Sequence, residues 1–210
     1  MLLQKINQNI ISFIQNFDSI PTKRKEKLNT LTQYIQEKIN QNQIPKLIVI
    51  CTHNSRRSHL GQLWLAAGAD YYGLPKIETY SGGTETTAFH YNAIKAMQHF
   101  GFEITTNNQG IPNPIYQIKW KENQLPYEAF SKRFEEAPNP AEQFSAIMIC
   151  SEADKDCPFV HGTDFRIALP FDDPKRFDGT EKESSKYRER AKQIGIEMLY
   201  VLYNINKKLE

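Results

Sequence analysis

The sequence predicts an α/β fold, a three-layer sandwich in which a four-stranded, mainly parallel sheet carries helices on both faces. Three observations predict it. Residues 47–50 and 145–150 are short apolar runs of the kind that form buried parallel strands, and 76–81 and 166–170 read as two further strands. Helical stripes follow 47–50 and 76–81, an order that favours parallel pairing. The first run ends in a cysteine, and a short polar loop then leads into a helix start.

Composition narrows the class. The chain has 210 residues, enough for one domain with an extension and a sizeable core. Hydrophobic content of 40% and charged content of 24% suit a soluble globular protein. A net charge of +2 argues against a nucleic acid or an anionic membrane as the main partner. The apolar runs are too short to span a bilayer, and the first residues offer no signal-peptide region. Three cysteines do not make a disulfide scaffold, so the expected compartment is the cytoplasm, with reduced thiols.

Residues 1–45 read as a helical extension. Leu3, Ile6, Ile10, Phe13, Ile14 and Phe17 form one stripe, which Pro21 interrupts. Leu28, Leu31, Ile35 and Ile39 form a second, with Thr22 as its cap. These helices either pack on the catalytic domain, residues 46–210, or offer a homodimer surface; packing is the favoured reading. Beyond the loop, Leu60, Leu63, Trp64, Ala67 and Tyr71 form a helical stripe, and Ala93, Ile94, Met97 and Phe100 another, closed by Gly101. Residues 107–142 read as an inserted region beside the cleft. Within it 116–120 alternates like an edge strand and 127–134 reads as a short helix. Tyr116, Trp120, Tyr127 and Phe130 are each better read as core than as substrate wall. Thr180-Glu-Lys-Glu183 is a capping box opening a long helix with Tyr187, Ala191, Ile194, Met198, Val201 and Ile205 inward. His90 and His99 belong to no metal-ligand set, and no metal is expected.

The chemistry centres on Cys51. It ends the first strand, and Thr52, His53, Asn54, Ser55, Arg56, Arg57 and Ser58 carry the chain into the helix. Successive loop N–H groups and a positive helix end make an anion cradle. Arg57 adds a planar fork that matches a tetrahedral oxyanion. The same positive field favours the thiolate, the nucleophilic form of Cys51. Asp173, before Pro174 and after the last strand, is the candidate general acid, with Asp172 as the fallback.

Cys51-x5-Arg57-Ser58 resembles the active-site loop of the low-molecular-weight tyrosine phosphatase family. With Asn54 and Ser55 in place, Cys-Thr-x-Asn-Ser-x-Arg-Ser is closer still to the thioredoxin-coupled arsenate reductases built on that fold. The resemblance covers roughly residues 46–205. It implies that Asn54 shapes the loop, that the Ser58 hydroxyl supports the thiolate, and that Ser81 lies near the loop. It also implies that the Asp-Pro acid is Asp173. His53 stands where the family usually has glycine.

Cys150-x6-Cys157 has the spacing of the redox pair of those reductases, and the tyrosine phosphatases lack that pair. The resemblance then implies a relay. Cys51 attacks arsenate held by Arg57, Cys150 attacks Cys51 as arsenite leaves, and Cys157 takes the disulfide for thioredoxin to reduce. Gln62 stands where potassium-binding reductases carry glutamate, which counts against a monovalent-cation site; no tightly bound cofactor is expected. The alternative is a tyrosine phosphatase working on a phosphotyrosine protein through a Cys51 phosphocysteine. Lys175 after Pro174, where that family has tyrosine, weighs against it. A redox or anion sensor using the same loop is a third reading.

Overall fold

The computed structural model describes residues 1–108, 110–125, 127–156 and 159–209. Four parallel strands form the central sheet: β1 (Lys46–Cys51), β2 (Glu78–Gly83), β6 (Phe144–Met148) and β7 (Thr163–Ala168), in the order β2-β1-β6-β7. The two apolar runs lie at the centre. Leu47 to Ile50 are wholly buried, and Val49 pairs with Ser81 on one side and Ile147 on the other. Parallel strands put their carboxyl ends at one edge, so Cys51 and the chain after Met148 and Ala168 emerge together.

Helix α3 (Arg57–Tyr71) returns from β1 to lie over the sheet. Gly61 lets it approach closely, because a Cβ there would meet the Val49 side chain at 3.0 Å. Helices α4 (Tyr91–His99) and α6 (Glu183–Leu209) complete this layer with α3. Trp64 is fully buried among Phe13, Phe100 and Phe102, with ring centroids 5.1–5.8 Å apart.

The amino-terminal helices α1 (Gln4–Ile14) and α2 (Thr22–Asn40) pack on α6. Ile6, Ile10, Leu28, Leu31 and Ile35 are fully buried, so both stripes are spent inside the chain. Thr32 Oγ1 donates to the Val201 carbonyl at 3.1 Å, and Arg24 pairs with Glu197 at 2.6 Å. The cap of α2 is Pro21 and not Thr22, which is the first helical residue and makes no capping bond. The capping box at Thr180–Glu183 is also altered. Glu183 accepts from the Gly179 N–H, while the Thr180 hydroxyl donates to the Phe177 carbonyl.

The inserted region differs most from expectation. It contributes β4 (Tyr116–Lys119) and β5 (Tyr127–Ala129) to a small antiparallel sheet with β3 (Glu103–Thr105), which precedes it, and β4 is in the middle. The short helix expected from Tyr127 is therefore a strand: Glu128 is exposed between half-buried Tyr127 and buried Ala129, the two-residue period of a sheet. The edge strand expected at 116–120 is paired on both sides. Trp120 is core, with its Nε1 donating to Asp70 at 2.7 Å.

Candidate active site

The loop after β1 is tied down from three sides. The backbone bends left-handed at Asn54, φ 43°, which asparagine tolerates better than most side chains. This bend does not fall on His53, whose ring is part exposed 3.4 Å from Glu85. Asn54 Nδ2 donates to Ser58 Oγ at 2.9 Å, and Asn54 Oδ1 accepts the Lys132 N–H at 2.9 Å. Ser131 Oγ donates to the His53 carbonyl at 3.0 Å, and the His90 N–H donates to Ser55 at 2.9 Å. Segment 131–134, which runs beside β2, thus braces the loop from behind. Lys132 and Ser131 had no sequence signal, because their bonds come from chain far away.

Cys51 Sγ lies 3.1 Å from Ser58 Oγ. Asn54 donates to that same oxygen, which leaves the serine proton free to point at sulfur. Cys51 is buried, at 4% exposure, at the mouth of the loop.

Arg57 is nearly buried, at 5% exposure, and both terminal nitrogens of its fork are engaged. Nη1 donates to the Phe171 carbonyl at 2.7 Å and Nη2 meets Asp173 Oδ2 at 2.6 Å. Asp173 also caps the 3-10 turn Pro174–Phe177, taking the Lys175 N–H at 2.9 Å. Asp172 faces elsewhere: its partners are Arg190 at 3.4 Å and Arg176 at 3.6 Å. Of the two carboxylates, only Asp173 is joined to the loop arginine.

Cys150 is fully buried just after β6, ahead of the short helix α5 (Ser151–Asp156). Its sulfur is 3.5 Å from Thr52 Oγ1 and 3.4 Å from the Ala153 N–H. Burial pushes its thiol up, while the Thr52 and Ala153 bonds pull it down; the charges of Cys51 and Arg57 act on it with opposite signs. Cys51 and Cys150 are both free thiols. Cys157 lies outside the described residues.

Ser81 is wholly buried, and its hydroxyl is 3.2 Å from His59 Nδ1 on α3. That ring is stacked on Phe89, and burial holds its pKa at about 3, so it stays neutral. Ser81 therefore meets the residue beside Ser58. Gln62 turns its amide to Tyr127 Oη at 2.7 Å and to the Thr79 carbonyl at 3.3 Å. Beside the loop a groove of about 430 Å³ opens between His53, Arg56, His90 and Lys175. Among the described residues no group of three or more His, Cys, Asp or Glu side chains is placed to hold a metal ion.

The chain is similar to known proteins over most of this fold. No family model matches it. It is 30% identical over 146 residues to an arsenate reductase of Bacillus cereus (strain Q1), covering 70% of this chain and 85% of that one. It is 26% identical over 147 residues to an arsenate reductase of Halalkalibacterium halodurans, covering 70% and 86%. Among solved structures, a low-molecular-weight protein tyrosine phosphatase from T. tengcongensis superposes with a TM-score of 0.51 at 12% identity, covering 76% of this chain and 99% of that one.

Proposed function

The chain belongs to the arsenate reductase family, and on that footing we propose that it reduces arsenate to arsenite through a relay of Cys51, Cys150 and Cys157. One observation carries the proposal: a second buried thiol, Cys150, is held 3.5 Å from the hydroxyl of Thr52, the residue next to the nucleophile. A phosphatase needs no such thiol.

Each step balances. Arsenate enters the loop and takes the fork of Arg57. The Cys51 thiolate attacks arsenic, an As–O bond breaks, and Asp173 protonates the leaving oxygen. Cys150, as thiolate, then attacks Cys51 Sγ. The S–S bond forms and the S–As bond breaks. Its electron pair stays on arsenic, which leaves as arsenite. Cys157 attacks Cys150 and frees Cys51. The resulting Cys150–Cys157 disulfide takes two electrons from an external dithiol, for which thioredoxin is the proposed donor. α5 lies between these cysteines; at six residues, with an exposed start, it costs little to unwind.

The burial of Arg57 and its pairing with Asp173 support an oxyanion as substrate, because an anion can replace Asp173 on the fork. The neutral partners of Gln62 support a site that works without a monovalent cation. No helix among the described residues is long and apolar enough to cross a membrane, and the proposed compartment is the cytoplasm.

The test is thioredoxin-dependent arsenite release beside p-nitrophenyl phosphate hydrolysis, for wild type, Cys150→Ser and Cys157→Ser. Loss of arsenite turnover in both variants supports the relay. Arsenate turnover at the wild-type rate in both removes it. Phosphate ester hydrolysis without any arsenite release points to the phosphatase reading.

A further inference from the structure

Two consecutive arginines at the start of α3 grip one segment, and only one of them is aimed at the oxyanion. Arg57 holds the beginning of the acid loop through Phe171 and Asp173. Arg56 holds its end. Arg56 Nε donates to Tyr187 Oη at 2.6 Å, and Nη2 meets Asp178 Oδ2 at 3.0 Å. Tyr187 Oη donates to Asp178 Oδ1 at 2.7 Å and closes the ring.

The ring is fixed in place. The Tyr187 side chain is fully buried, and the His90 ring lies parallel to it with centroids 5.5 Å apart. Asp178 ends the 3-10 turn that Asp173 begins, and its N–H donates to the Lys175 carbonyl at 2.9 Å. One short hydrogen-bonded turn therefore links the ring to the acid.

An oxyanion in the loop competes with Asp173 for the fork of Arg57. Once the anion wins, that ion pair no longer holds the acid loop. The Arg56 ring is a separate set of bonds, to Tyr187 and Asp178, that does not use Asp173, and His90 Nε2 lies 3.9 Å from Asp178 Oδ2. We propose that Tyr187 and Asp178 are positioning residues which keep Asp173 beside the Cys51–Ser58 loop after the oxyanion has displaced it from Arg57. They act through the 174–177 turn and touch no substrate. The proposal rests on Asp173 being the general acid.

The experiment measures single-turnover arsenite release for wild type, Asp173→Asn, Tyr187→Phe, Asp178→Asn and the double variant Asp173→Asn/Tyr187→Phe. Tyr187→Phe keeps the buried ring and loses only the hydroxyl. Asp178→Asn touches the same ring of bonds without entering the core, so one misfolded variant does not silence the test. Each should lower the limiting rate about 10-fold and leave half-saturating arsenate within about twofold, because Arg57 is intact. The double variant should be no slower than Asp173→Asn alone, since positioning an absent acid has no effect. A slow Asp173→Asn beside wild-type rates for Tyr187→Phe and Asp178→Asn overturns the proposal alone, as does a double variant whose losses multiply. An Asp173→Asn variant at the wild-type rate overturns the acid assignment and the proposal with it.

Discussion

Asp173 Oδ2 lies 2.6 Å from Arg57 Nη2, so this carboxylate occupies the fork that the proposed oxyanion would use. The guanidinium stays buried without becoming an unpaired charge, which would be costly. Substrate then exchanges one anion for another. Asp172, two-thirds exposed and turned to Arg190 and Arg176, has no part in the exchange. Asp173→Asn should lower the limiting rate of arsenite release on the order of 10²-fold, and Asp172→Asn by no more than about twofold. Stopped-time arsenite assays on the two variants check this; equal losses would remove the distinction between the neighbouring carboxylates.

Cys150 is pushed above the ordinary thiol range chiefly by burial. Its attack on Cys51 needs the thiolate, so formation of that disulfide should quicken as pH rises and keep rising past the point where an exposed thiol would level off. Thr52→Val removes the hydroxyl that opposes the shift and should move this profile to still higher pH. Rapid-quench measurement of the disulfide across pH reads both.

His59 is neutral in the fold, its pKa lowered to about 3 mainly by burial, whereas in the unfolded chain it takes a proton near 6.5. Its contribution to stability is therefore complete above pH 6.5 and declines as pH falls toward 3, because only the unfolded chain gains the proton. Urea unfolding of wild type should show that decline, and His59→Gln should flatten it. Profiles of equal slope would mean that the ring is not held neutral.

The Gln62 amide nitrogen, Thr79 and Tyr127 form a neutral hydrogen-bonded cluster beneath α3. Arsenite release should be the same, within about twofold, in potassium, sodium and choline chloride at equal ionic strength. A clear activation by potassium would contradict the reading of Gln62.

Much of this was legible in the sequence, and the reasons differ by residue. The loop from Cys51 to Ser58 is local, so the strand end at Cys51 and the helix start at Arg57 could be read from the sequence, while the part given to Ser58 came from the resemblance. Asp173 was singled out by the Asp-Pro pattern of the resemblance, and the structure joins it to Arg57. β1 and β6 are continuous apolar runs and announce themselves. β3 and β5 are three residues each, too short for a period to emerge, and so 127–129 read as a helix. The Arg56–Asp178–Tyr187 ring joins residues more than a hundred positions apart. Tyr187 reads simply as an inward helix residue, and only the packing of α6 beside the loop reveals its second use.

In the proposed relay Cys150 attacks Cys51 while arsenic is reduced. Cys157→Ser halts the relay at that point. After one turnover with arsenate, the trapped chain should contain a Cys51–Cys150 disulfide, seen by peptide mass spectrometry, in a one-to-one ratio with released arsenite. Arsenite released while Cys150 remains a free thiol would rule out the attack of Cys150 on Cys51.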